Sequence, residues 1–173
     1  MARAFIAVAS NIAPETNVRK GLRILAQRVK VTALSTFYRS QPLGRPGQPA
    51  FVNGVAEIES SLRPRELKYG ALRPLEAELG RVRTADKYAP RTLDLDLLVY
   101  EDWVISSPEL TVPDPDIISR PFLAIPLGEL APELALPGDG RTLREIAADL
   151  ADHTMEPLKE YTEQLREDLR DGP

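Results

Sequence analysis

The residues best equipped for chemistry are Asp94 and Asp96, in the run Lys87-Tyr88-Ala89-Pro90-Arg91-Thr92-Leu93-Asp94-Leu95-Asp96-Leu97-Leu98-Val99-Tyr100. From Leu93 onward apolar residues alternate with the two acids, the period of a half-buried strand, so Leu93, Leu95 and Leu97 face one way and both carboxylates the other. Carboxylates so spaced stand roughly 6 to 7 Å apart at their Cα atoms, near enough to share a metal centre and too near to be comfortable unpaired. Just upstream, Arg81, Arg83, Lys87 and Arg91 fall within eleven residues that hold a single acid, Asp86. A basic loop over an acidic strand end suits a polyanion bound through a divalent metal. Magnesium takes one or two protein carboxylates and completes its shell with water and phosphate, while guanidinium forks neutralise the remaining phosphate oxygens. The plainer reading, two solvent-facing acids ion-paired to Arg91, stays open on these residues alone.

The acidic strand needs a sheet, and the preceding chain supplies one. Ala4 to Ala9 is an apolar run ended by Ser10-Asn11, a strand entering a loop. Pro14 and Glu15 suit a first helical turn, and Val18, Leu22 and Leu25 recur at helical spacing through Gln27. Val29 to Tyr38 has strand character, whereas the Pro- and Gly-rich segment from Gln41 to Pro49 must be a loop. Phe51 to Ile58 resumes a strand, with Gly54 read as a bulge. Beyond Pro64 a helix carries Leu67, Ala71, Leu72, Leu75 and Leu79, and Pro74 is expected to kink it or start a fresh turn. With the acidic strand the order is βαββαβ. That order predicts an α+β, ferredoxin-like core in which an antiparallel sheet carries helices on one face.

The remainder is expected to add a C-terminal strand and helices. Leu110 to Val112 reads as one more edge strand, in a loop stiffened by prolines at 108, 113, 115 and 121. Residues 121–131 read as a short helix, and Arg141 to Leu150 as another, with Thr142 as cap and Glu145 three positions on. Met155, Leu158, Thr162, Leu165 and Leu169 then mark an acidic amphipathic helix with Pro157 in its first turn. We expect residues 1–150 to form the functional domain and 151–173 to be a helical tail. Docking of that tail on its own domain, self-association into a dimer and partial disorder all remain open.

Composition narrows the classes. A chain of 173 residues suits one domain, and a net charge of −4 argues against bulk nucleic-acid or anionic-membrane binding. The strands also lack the exposed aromatic run of an RNA-binding module. No apolar run reaches the ~18 residues of a membrane span, and no signal-peptide pattern opens the sequence, so a cytoplasmic location is expected. With no cysteine and only His153 among histidines, any metal must be bound by oxygen. Neither G-x-x-x-x-G-K-[ST] nor G-x-G-x-x-G is present, so a nucleoside triphosphate would depend on arginines rather than a glycine-rich cradle.

The stretch from Arg81-Val82-Arg83 through Pro90-Arg91-Thr92-Leu93-Asp94-Leu95-Asp96-Leu97-Leu98 resembles the signature of the 6-hydroxymethyl-7,8-dihydropterin pyrophosphokinase family of the folate pathway. Further similar residues follow in order: Ser10-Asn11, Phe37-Tyr38-Arg39, Pro42-Leu43-Gly44, Asn53, Glu76, Leu110-Thr111-Val112-Pro113 and Arg120-Pro121-Phe122. The resemblance covers about residues 4 to 145. It implies transfer of the terminal pyrophosphate of ATP to the hydroxymethyl group of the pterin, with release of AMP. It also implies two magnesium ions held by Asp94 and Asp96, and catalytic roles for these acids with Arg81 and Arg91. Pterin contacts would come from Ser40, Gln41, Leu43, Phe51, Asn53, Asp94 and Phe122, the two Phe rings sandwiching the ligand. Nucleotide contacts would come from Glu76, Arg83, Tyr88, Arg91, Leu97, Thr111, Asp114 and Arg120. A monomer is the expected state, with a tail-mediated dimer as the variant.

Departures from the family pattern are Ala9 in place of Gly, Tyr88-Ala89 in place of Trp-Gly, and Asp114 in place of a phosphate-contacting His. An acid beside a triphosphate repels it unless Arg120 or a metal compensates. These departures and the tail motivate an alternative, a non-catalytic pterin- or nucleotide-binding paralogue.

Overall fold

The apolar run near the start of the chain becomes β1 (Ala2–Ser10) in a computed structural model that describes residues 1–42, 47–151 and 154–172. It pairs antiparallel with β4 (Phe51–Ser60), from Ala2 opposite Ser60 to Ser10 opposite Val52, and on its other side with β5 (Asp94–Tyr100). Beyond β4, β2 (Lys30–Leu34) pairs with its second half and β3 (Tyr38–Ser40) with its first. A further strand, β8 (Glu156–Pro157), lies outside β3, giving a mixed α/β fold with a six-stranded antiparallel sheet.

Helices cover both faces of this sheet, a correction to the expectation of one. On one face α1 (Pro14–Arg28), α2 (Arg73–Glu78) and α5 (Lys159–Arg170) bury Leu22, Leu25, Leu75 and Leu165 against Ile6, Val8, Leu93 and Leu95. On the other, α3 (Pro121–Leu130) and α4 (Leu143–Asp149) set Leu123, Leu127 and Ile146 on Phe5, Ala7, Val55 and Leu98. The cause is in β1, where Ala4 to Val8 is apolar at every position and so needs cover on both sides. Thr142 caps α4 as expected, its Oγ1 accepting the Glu145 N–H at 3.2 Å.

Other local expectations change. Gly54 is not a bulge, because β1–β4 pairing passes through it unbroken; a Cβ there would come within 2.7 Å of the Phe37 ring, so glycine makes room for that ring. Glu66–Leu72 is a π-helix, and Pro74 starts the fresh turn that opens α2. Thr111–Val112 (β7) pairs with Ile105–Ser106 (β6) in a separate ribbon instead of extending the main sheet. Pro157 lies in β8, not in the first turn of α5; on an outermost strand its missing N–H costs no sheet bond. Helix α5 docks on the chain itself, with Leu165 buried and Arg19 Nε 2.8 Å from Asp168 Oδ2. No described helix is long and apolar enough to cross a membrane.

Candidate active site

Among the described residues no strand lies beyond β5, so one of its backbone edges must find other partners. Leu95, between the two aspartates, donates its N–H to Glu76 Oε2 at 2.7 Å, and its carbonyl accepts from Arg73 Nη1 at 3.1 Å. Two side chains of α2 thus take the place of a neighbouring strand. Glu76 is only 2% exposed and also accepts from Arg73 (3.2 Å), Arg81 (3.3 Å) and Arg83 (2.8 Å). One buried carboxylate gathers three guanidiniums at the strand carrying the acids.

The two acids share a face but not an environment. Asp94 Oδ1 accepts from Arg81 Nη1 at 2.5 Å and its Oδ2 from Arg91 Nη1 at 2.9 Å. Burial pushes its carboxyl up, but these guanidiniums outweigh burial and hold it below the usual range. Among the described residues Asp96 has Arg73 alone as an ion-pair partner, at 3.9 Å, and keeps 42% of its side chain exposed. Burial and the Asp94 charge, with smaller contributions from Asp114 and Glu76, push Asp96 up to about 7 against the pull of Arg73. A carboxylate so poorly compensated suits a divalent ion, with Asp94 joining once a guanidinium releases one oxygen. No cluster of three or more His, Cys, Asp or Glu able to hold a metal exists among the described residues.

Arg81, Arg83, Lys87 and Arg91 line a cleft of about 230 Å³ with Asp94 and Asp96 at its floor. Nearby Asn11 ties three loops together. Its N–H donates to the Arg91 carbonyl (3.1 Å), its Oδ1 accepts the Arg91 N–H (2.8 Å), and its Nδ2 donates to Gln48, which donates to the Tyr88 carbonyl.

The sheet register extends the site. Asn53, Ala9 and Asp94 lie opposite one another on adjacent strands, and Val55, Ala7 and Asp96 form the next row. Paired residues share a face, so Asn53 and Asp94 look out on the α3 side, roughly 10 Å apart across Ala9. Asn53 Oδ1 accepts from Ser40 Oγ at 3.0 Å, Phe51 has the Arg91 guanidinium 5.9 Å over its ring, and Phe122 packs at the start of α3 on the same side.

The remaining expected residues lie in mixed surroundings. Glu76 lies beneath the arginines, Leu97 points into the core under α1 and α2, and Thr111 is exposed on the β6–β7 ribbon. Tyr88 is partly exposed with Lys87 Nζ 5.1 Å over its ring, and Gln41 is exposed; Leu43 falls outside the described residues. Asp114 donates its N–H to the Leu98 carbonyl at 2.8 Å, while its carboxylate accepts the Asp116 N–H at 2.8 Å and caps the turn Pro115–Ile118. Burial raises its pKa, the Asp116 N–H opposes this, and the nearby cation is Lys68 rather than Arg120. Arg120 forms no side-chain ion pair or hydrogen bond among the described residues. Arg73, Lys68 and Gln48 carried no sequence signal, since isolated polar residues on a helix or loop read as surface.

Residues 5–132 match the family model described as 7,8-dihydro-6-hydroxymethylpterin-pyrophosphokinase. The chain is 39% identical over 158 residues to the 2-amino-4-hydroxy-6-hydroxymethyldihydropteridine pyrophosphokinase of Haemophilus influenzae, covering 90% of this chain and 97% of that protein. It is 41% identical over 149 residues to the Pseudomonas aeruginosa protein of the same name, covering 84% and 90%. In fold it is similar to a crystal structure of Plasmodium falciparum HPPK-DHPS, with a TM-score of 0.71 at 10% identity, and it spans 48% of that solved chain and 90% of its own.

Proposed function

The chain belongs to the 7,8-dihydro-6-hydroxymethylpterin-pyrophosphokinase family, and from that premise we infer that it moves pyrophosphate from MgATP to the hydroxymethyl group of 6-hydroxymethyl-7,8-dihydropterin, releasing AMP. The observation that carries this reading is the Asp94–Asp96 pair at the floor of an arginine-lined cleft, in register with Asn53 across the sheet. Such transfers rest on positioning and charge neutralisation and need no nucleophilic side chain.

Asp94 and Asp96 would hold two magnesium ions, which supply charge stabilisation to the attacking and leaving oxygens. Arg81 and Arg91, now clamped on Asp94, are placed to turn toward phosphate oxygens when those arrive, and Arg83 and Arg120 supply further positive charge. Tyr88, Thr111 and Asp114 complete the nucleotide side, with Leu97 behind it in the core and Glu76 fixing the arginines from beneath. Asn53 with Ser40 reads the pterin edge, Gln41 borders it, and Phe51 and Phe122 flank its faces. Ala9 lies between these two ends of the site.

The strand order β5-β1-β4-β3, with helices between, supports the ferredoxin-like assignment of the core. We assign residues 1–150 to the substrate sites and 151–173 to a supporting tail, in a cytoplasmic monomer. The family match favours catalysis over the non-catalytic alternative. Incubation with MgATP and the pterin should release AMP; no AMP above a blank without pterin would overturn the reading.

A further inference from the structure

The 151–173 segment lies outside the residues that match the family model, yet it is laced to the chain just before Ser40. The Leu34 carbonyl accepts from Arg166 Nη2 at 2.9 Å and Nε at 3.3 Å. The Phe37 N–H donates to Thr162 Oγ1 at 2.9 Å, and the Phe37 carbonyl accepts the Leu158 N–H at 2.8 Å. Next, Tyr38 and Arg39 pair with Pro157 and Glu156 of β8. Residues 34, 37, 38 and 39 thus all reach one short stretch, 156–166, while Ser35 and Thr36 between them bond to Val55 and Glu129. Phe37 lies between β2 and β3, so its buried backbone groups have no ladder partner of their own and depend on these bonds.

What the tail holds is in contact with the pterin side. The Phe37 ring rests on Gly54, where even a methyl would come within 2.7 Å, and Gly54 follows Asn53 directly. Tyr38 pairs with Asn53 in the sheet, and Ser40 donates to the Asn53 amide oxygen at 3.0 Å. A shift of Phe37 therefore moves the edge-reading pair, because packed side chains transmit displacement. The tail is fixed in turn: Tyr161 meets Phe37 edge-on at 6.5 Å and donates its hydroxyl to the Glu15 carbonyl at 2.7 Å.

We propose that residues 156–166 are a positioning element for pterin recognition, setting Ser40 and Asn53 through Phe37; this rests on the pterin reading above. Thr162 is the residue to test, being 1% exposed and using one hydroxyl both to accept from Phe37 and to donate to the Leu158 carbonyl. Thr162→Val keeps the shape and removes the acceptor. It should raise the pterin KM about five- to tenfold with MgATP KM and kcat within about twofold, as expected when ground-state positioning of one substrate is lost. Thr162→Ser should restore the parent KM. Arg166→Met, which releases the Leu34 carbonyl together with the Glu163 and Glu129 ion pairs, should move the pterin KM in the same direction and serves if the valine variant does not fold. A folded variant with lowered Tm but an unchanged pterin KM would reduce the tail to a brace and overturn the proposal. The pterin reading has its own control. If the parent binds pterin and Asn53→Ala weakens binding while the tail variants do not, only the tail proposal fails; if the parent binds no pterin, both fail.

Discussion

Leu95 and Glu76 are joined by a 2.7 Å hydrogen bond from backbone N–H to buried carboxylate, so the residue between the two aspartates is held by a side chain that three arginines hold in turn. Removing one partner from a buried ionic cluster leaves the others uncompensated, typically at a cost of about 3 to 5 kcal/mol. Glu76→Ala should therefore lower stability by ~3 kcal/mol in urea unfolding and reduce turnover at least about tenfold as the acids lose their register. Glu76→Gln, which keeps an acceptor for Leu95, should unfold closer to the parent. A loss below about 1 kcal/mol for the alanine variant would mean that the arginines are held elsewhere.

Replacing either acid should stop the chemistry without unfolding the chain. Asp94→Ala or Asp96→Ala is expected to lower turnover by on the order of 10²-fold or more, because charge stabilisation at the transferred group is the main catalytic device. AMP release by a folded variant at the parent rate would remove that acid from the metal site.

The raised Asp96 gives a pH prediction with a definite sign. Its ordinary value of 3.8 becomes about 7 in the fold, so the native state binds this proton more tightly than the unfolded chain does. The resulting stabilisation is complete below about pH 4 and is lost as pH rises through about 7. Asp96→Asn, which needs no proton, should match the parent in acid and exceed it at pH 8. With the side chain 42% exposed, solvent screening reduces the expected gain to about 1 kcal/mol, measurable by thermal unfolding without ligand. In the parent, apparent magnesium affinity should rise between about pH 6 and 8, because the ion displaces a proton. A flat profile across that range would contradict both effects.

On the proposed nucleotide side Asp114 would set a repulsive charge beside the phosphates, and it is also the cap of a short turn. Asp114→His should tighten MgATP about tenfold by calorimetry, a difference of ~1.4 kcal/mol, and the gain should shrink at high salt. The lost cap should cost about 1 kcal/mol of stability. Unchanged or weaker MgATP binding would show that Lys68 already neutralises Asp114.

In residues 84–89, Lys87 brings a positive charge close to Arg83 and Arg91 in the same cleft. Amide exchange there should slow when MgATP binds, since an anion relieves repulsion among these cations and orders the loop. Equal protection with and without MgATP would make the loop a preformed wall.

Much of this site was legible because its signal is local. The alternation from Leu93 to Leu97 specifies which way Asp94 and Asp96 face, and Thr142 with Glu145 announces the start of α4 within four residues. Arg73 was invisible because its partner, the Leu95 carbonyl, lies 22 residues away and an arginine on a helix normally meets water. Pro157 misled because proline is favoured in a first helical turn, whereas only tertiary pairing reveals an outer strand that tolerates it. The second helical layer was implied by the unbroken apolar run in β1, but period alone does not say which later segment covers it.

Closure of the sheet's margins by single side chains bears on how the protein behaves in crowded solution. An uncovered strand edge is a template on which another chain can add and start a fibre. Here the Leu95 margin is closed by Glu76 and Arg73, and the Leu34 margin by Arg166. Loss of these ion-paired side chains should therefore be felt as precipitation at high concentration as well as in rate.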